Sequence, residues 1–123
     1  MDLASDKLAR FRSAWRRRER NRRRKCEILR QKAYQEAGLL TTILVAHQGV
    51  YKVVLFGSTL DQERFCETSD IDLAVWGLEP QAYYQVRAEL ENMSSFPVDL
   101  VPMEDARPGI KKQIDHGEIL YER

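Results

Sequence analysis

The sequence is sparing with residues that cross-link or punctuate a chain. Its two cysteines, Cys26 and Cys66, lie in unlike segments with no CxxC spacing, which gives a disulfide framework or a zinc site little support and predicts free thiols. No apolar run approaches the roughly 18 to 20 residues that would span a bilayer. The amino terminus, MDLASDKLARFRSAW, has no apolar core followed by a small-residue cleavage site. A cytoplasmic protein without membrane attachment is expected. From Asp2 to Ala46 there is no proline and one glycine, Gly38, so little would interrupt a long helix.

What is present describes one globular domain with an extension. The chain has 123 residues, 43% hydrophobic and 32% charged, too few for a second catalytic domain. A net charge of +1 hides an asymmetry: residues 1–50 hold 13 Lys+Arg against 5 Asp+Glu (net +8), and residues 51–123 hold 7 against 14 (net −7). The basic end calls for a polyanionic or acidic partner, and the acidic part for something positive held there.

Along residues 1–45, Leu8, Phe11 and Trp15 recur at helical spacing, as do Leu29, Ala33, Ala37, Leu40 and Leu44. Between the two groups RRRERNRRRK, Arg16 to Lys25, puts Arg18, Arg22 and Lys25 where the stripe would continue. An ordinary core does not bury them. The expectation is a helix in two functional pieces: a carboxyl half packed on the domain, an amino half that projects, and a break available at Gly38. Eight basic residues in ten exceed what a solvated face needs and suit RNA contact or docking on an acidic partner face, while Phe11 and Trp15 suit a protein-docking stripe.

Residues 46–123 read as alternating elements. YKVVLF (51–56) predicts a strand ended by Gly57, with Ser58 as an N-cap for a short helix or turn over 59–65. DIDLAVWG (70–77) predicts a second strand. A helix starts at Pro80 and runs through about Met93, with Tyr83, Val86 and Leu90 on its buried face. FPVDLVPM holds a third, short strand. Glu104 to His116 is expected to be helical with a break near Pro108-Gly109, stopping at Gly117. His47 and His116 read as surface or cap residues, and Trp76, Tyr83, Tyr84 and Tyr121 as core or base-stacking residues.

The chemistry concentrates in LFGSTLDQERFCETSDIDLAV, Leu55 to Val75. Residues two apart in a strand share a face, so Asp70 and Asp72 present adjacent carboxylates that repel unless a cation lies between them. Hard oxygen donors of this kind suit Mg²⁺. Asp99, in an apolar strand of its own, would complete the cluster if its strand lies beside that of Asp72, and three carboxylates can hold the two ions that recur in phosphoryl and nucleotidyl transfer. Gly57 and Ser58, at a strand-to-helix turn, are suited to phosphate oxygens.

LFGS, SDIDLAV, VDLV and IDHGEILY together resemble the minimal nucleotidyltransferases (MNT) of the DNA polymerase β-like superfamily, over roughly Ala46 to Tyr121. The family signature is Gly-Ser, about ten residues, then Asp-x-Asp, with a third carboxylate on a later strand. Here the spacer, Thr59 to Ser69, has 11 residues, and Thr59 stands where a basic residue often follows Gly-Ser. The resemblance implies an α/β fold, a small mixed sheet with flanking helices, following the long basic helix. It implies an antitoxin encoded beside a HEPN ribonuclease toxin, with which it would form a hetero-oligomer. It further implies an enzyme that transfers AMP from ATP to a tyrosine of that toxin. Gly57 and Ser58 would bind the nucleotide phosphates, Asp70 and Asp72 would bind Mg²⁺, and Asp99 would complete a second metal site or deprotonate the acceptor hydroxyl. Two rivals remain at this stage: a degenerate antitoxin that neutralises its partner by contact alone, and an enzyme that adds nucleotides to an RNA end.

Overall fold

The computed structural model describes residues 3–123. One helix, α1 (Leu3–Val45), precedes β1 (Lys52–Phe56), β2 (Ile71–Trp76), α2 (Tyr83–Met93), β3 (Val98–Pro102), α3 (Pro108–Asp115) and β4 (Glu118–Glu122), with single 3₁₀ turns at Gly57–Leu60, Pro80–Ala82 and Met103–Asp105. The four strands form a mixed sheet in the order β3-β2-β1-β4. β1 runs antiparallel to β2 and β4, and β2 runs parallel to β3 through the α2 crossover.

Alternation along the strands divides the sheet between two apolar layers. Val53 and Leu55 of β1, Ile71, Leu73 and Val75 of β2, and Val98 and Leu100 of β3 face the larger core, where they meet Ala33, Ala37, Leu40 and Leu44 of α1 and Val86 and Leu90 of α2. The other face carries Val54, Phe56 and Ala74 against Ile114 and Ile110 of α3. The opposite parity leaves Asp72 and Asp99 on the α3 side, and the main core is intact without them.

The helix from Leu3 to Val45 is continuous through Gly38. The expected break is absent because a glycine inside a helix lowers stability without changing direction, and the turns on both sides are anchored by Ala37 and Leu40. The division between halves is as expected: burial in α1 begins at Cys26, and Phe11 and Trp15 are 63% and 55% exposed.

Three other expectations are corrected. Ser58 lies inside the Gly57–Leu60 turn instead of capping a helix: Phe56 takes the preceding position and no side chain caps the turn. Pro108 begins α3 instead of breaking a longer helix, because proline's fixed φ and missing N–H suit a first helical turn. EILYE forms a fourth strand on the outer side of β1, which its scattered polar residues did not announce. Gly117 makes that return fit, since a Cβ there would lie 2.5 Å from the Leu55 carbonyl and 2.6 Å from Val54 Cγ1.

Candidate active site

The site is built where β1 ends and β2 and β3 begin. The strand register places Asp72 opposite Phe56 of β1 and opposite Asp99 of β3. Asp70, just before β2, has the parity of Asp72. Antiparallel β1 therefore delivers the Gly57–Leu60 turn, and parallel β3 delivers Asp99, to the same end of the sheet. The condition attached to Asp99, a neighbouring strand and a common face, is met.

Gly57 has φ of +81°, in the left-handed region that favours glycine. A Cβ on it would collide with Asp72 Oδ2, so only glycine lets the turn backbone lie against this carboxylate. Thr59, fully buried, directs its hydroxyl to the Asp70 carbonyl at 3.4 Å, a long contact. The turn and the Asp70–Asp72 segment are thus one packed unit, although 11 residues separate their motifs.

Half-burial combined with the negative charges of Asp99 and Asp70 raises the Asp72 carboxyl from 3.8 to about 7. Desolvation is the larger cause and the like charges add to it. Among the described residues no group of three His, Cys, Asp or Glu side chains closes into a ready-made metal cage. The arrangement is instead an Asp72–Asp99 pair on adjacent strands with Asp70 close enough to be felt. This donor set fits Mg²⁺, which keeps several waters and needs only one or two protein carboxylates beside substrate phosphates, and a divalent cation would relieve the repulsion that raises Asp72.

In front of Asp72 opens a cleft of about 400 Å³ lined by Gly57, Ser58, Leu60, Asp61, Arg64, Gln113, His116 and Asp72 itself. Arg64 and His116 are exposed and line the cleft together with the carboxylates of Asp61 and Asp72. The sequence did not mark Arg64 or Gln113, and it marked His116 only as a surface or cap residue. Arg64 lies within the spacer, whose path no periodicity fixes, and Gln113 and His116 reach the cleft only through the packing of α3. His116 does close α3 as its C-cap; that it also borders the cleft is new.

A larger cavity, about 660 Å³, lies by the opposite end of β2 among Gly77, Leu78, Pro80, Tyr83 and Tyr84, away from the aspartates. Tyr83 bonds the Leu100 carbonyl at 2.7 Å, which marks it as a structural residue. Arg22 and Arg23 of the arginine tract line a small pocket that shares Arg64 with the cleft. No helix among the described residues is long and apolar enough to cross a membrane.

Comparison with known proteins agrees with this fold. A chain in the crystal structure of a toxin–antitoxin with AMP-PNP is 25% identical with a TM-score of 0.59, the match covering 72% of this chain and 73% of that one. The MntA–HepT toxin–antitoxin structure matches at 23% identity and TM-score 0.54, over 72% of this chain and 70% of that one. The structure of a tri-AMPylated Shewanella oneidensis HEPN toxin in complex with MNT antitoxin matches at 22% and 0.54, over 76% and 73%. No curated protein matches the sequence. The family described as Polymerase beta, Nucleotidyltransferase matches residues 39–123, a span that holds the Gly-Ser turn, all three aspartates and the cleft, and the chain belongs to that family.

Proposed function

We propose that this protein is an antitoxin-type nucleotidyltransferase that moves AMP from ATP to a hydroxyl, that of a tyrosine, on a partner HEPN ribonuclease toxin and so neutralises it. The observation that carries the reading is the convergence of the Gly57-Ser58 turn with Asp70, Asp72 and Asp99 at one end of the sheet, beside a cleft lined by Gly57, Ser58 and Asp72. The likeness to a chain in a toxin–antitoxin structure that holds AMP-PNP supports both the partner and the nucleotide. Residues 1–45 act as the basic extension that packs on the domain and meets the partner, and residues 46–123 act as the minimal nucleotidyltransferase domain.

In this reading the Gly57–Leu60 turn and Arg64 would hold the phosphate tail of ATP, and Asp70, Asp72 and Asp99 would hold Mg²⁺, as two ions. Mg²⁺ supplies charge neutralisation at the phosphates and lowers the cost of ionising the acceptor hydroxyl. The acceptor oxygen attacks the α-phosphorus, the bond from that phosphorus to the β-phosphate bridging oxygen breaks, and pyrophosphate leaves. In this reading the hydroxyl proton passes to Asp99, a role that its exposure on the outer strand supports.

The test is incubation of the purified protein with the product of the adjacent gene, ATP and Mg²⁺, beside the Asp70→Asn/Asp72→Asn double variant, followed by intact-mass analysis. The expected result is one or more AMP units on the partner, absent with the variant. A tight complex in which no AMP moves would replace this reading with neutralisation by contact alone.

A further inference from the structure

The part of α1 that lies ahead of the family's matched span touches the candidate site's turn. Arg30 of α1, its side chain only 15% exposed, donates from Nη1 to the Thr59 carbonyl at 3.0 Å, inside the phosphate-binding turn. The guanidinium is aimed there by Glu27, one turn earlier, which accepts from Nε at 2.8 Å and Nη2 at 2.7 Å, the two-pronged geometry that fixes an arginine in place. One and two turns towards the amino terminus the same helix meets the far end of the spacer: Cys26 Sγ lies 3.5 Å from Glu67 Oε1, and Arg22 Nε 3.9 Å from the same oxygen. The Arg22–Glu67 pair is exposed and weak, and the Cys26–Glu67 contact is partly buried. Both ends of the segment joining Gly57-Ser58 to Asp70 nevertheless rest on one rigid rod.

We propose that α1 is a clamp on the nucleotide site, with Arg30 as a positioning residue that fixes the phosphate-binding turn relative to Asp70 and Asp72. The proposal rests on the nucleotidyl-transfer reading, and it gives α1 a role inside the site in addition to any contact with a partner. An 11-residue spacer has no internal periodicity to set its length in space. The Thr59–Asp70 contact and the β1–β2 register join its ends to one another, and among the described residues Arg30 is the side chain from another element that donates a hydrogen bond to the turn. Because the clamp acts on the turn that would grip the β- and γ-phosphates, its loss should weaken ATP and leave AMP, which lacks those phosphates, almost unaffected.

The test uses the full chain and three forms: wild type, Arg30→Gln, and Arg30→Lys, which keeps a cationic donor towards the carbonyl but loses the fork to Glu27. Affinities for Mg²⁺·ATP and for AMP are measured by calorimetry, and amide hydrogen exchange is followed over residues 57–70. Arg30→Gln should weaken ATP about tenfold or more, the scale at which misplacing a binding group is felt. AMP should stay within about twofold, exchange in 57–70 should speed up, and Arg30→Lys should fall between. Unchanged ATP affinity, or an equal loss for ATP and AMP, overturns the clamp while the wild type still binds ATP. A wild-type chain that does not bind ATP overturns the transferase reading and the clamp together.

Discussion

Asp72 sits half-buried beside two like charges, and its titration is therefore coupled to folding. Its carboxyl is raised from 3.8 to about 7 in the folded chain, so between these values the native state holds a proton that the unfolded state has released. Stability from this group is complete below about pH 4, declines as pH rises towards 7, and is lost above it. After allowance for solvent screening the loss is about 1–2 kcal/mol. Metal-free wild type compared with Asp72→Asn by urea denaturation should show that difference, with the variant the more stable above pH 7 and the two converging near pH 4. Mg²⁺ should raise the wild type's midpoint and leave that of the variant almost unmoved. A gap that does not depend on pH would mean that Asp72 is solvated like a surface carboxylate. The aspartates were legible in the sequence because Asp is rare in apolar strands. Arg64, Gln113 and His116 were not, because each enters the cleft through a loop path or a helix packing that residue spacing does not encode.

The long helix shows where sequence patterns inform and where they do not. Its apolar spacing correctly separates a packed half from a projecting half, since burial follows the stripe of Ala33, Ala37, Leu40 and Leu44. The glycine within it does not mark a bend, because a break needs tertiary contacts that compete with the helix and none reaches Gly38. A Cβ at Gly38 would meet nothing within 4 Å. Gly38→Ala should therefore stabilise the protein by about 0.5–1 kcal/mol through reduced freedom of the unfolded chain, as a higher urea midpoint with an unchanged slope. In the same helix, Leu44→Ala removes a fully buried side chain and should cost about 2–5 kcal/mol, whereas Phe11→Ala should change stability by less than about 0.5 kcal/mol. A large loss with Phe11→Ala would mean that the amino half packs on the domain. β4 escaped the sequence reading for a related reason: an edge strand is defined by its pairing with β1, and EILYE has no strict alternation of its own.

The charges of the whole molecule are segregated by the fold as well as by the chain. The amino half of α1, part of a rod of about 65 Å, carries the arginine tract, whose end reaches Glu67 of the acidic domain through Arg22, and no described residue before Cys26 is buried. Removing residues 1–24 takes away 10 Lys+Arg and 3 Asp+Glu and changes the net charge from +1 to −6, without taking any residue from either apolar core. The truncated chain should keep its thermal midpoint within a few degrees and lose helical ellipticity in proportion to the residues removed. Its association with the partner is a separate matter. Exposed cations on a rod attract an acidic surface over about a Debye length, 10 Å at 0.1 M salt, so the complex of the full chain should form more slowly and dissociate more readily as salt rises from 0.05 to about 0.5 M. The truncated chain should bind weakly at every salt concentration. Surface plasmon resonance across that range, with RNA injected as a second ligand, separates the two uses of the tract: salt-sensitive binding to the partner and not to RNA assigns it to protein docking. Strong RNA binding that disappears on truncation would instead give the arm a nucleic-acid role, and partner binding unchanged by both salt and truncation would confine the interface to the acidic domain.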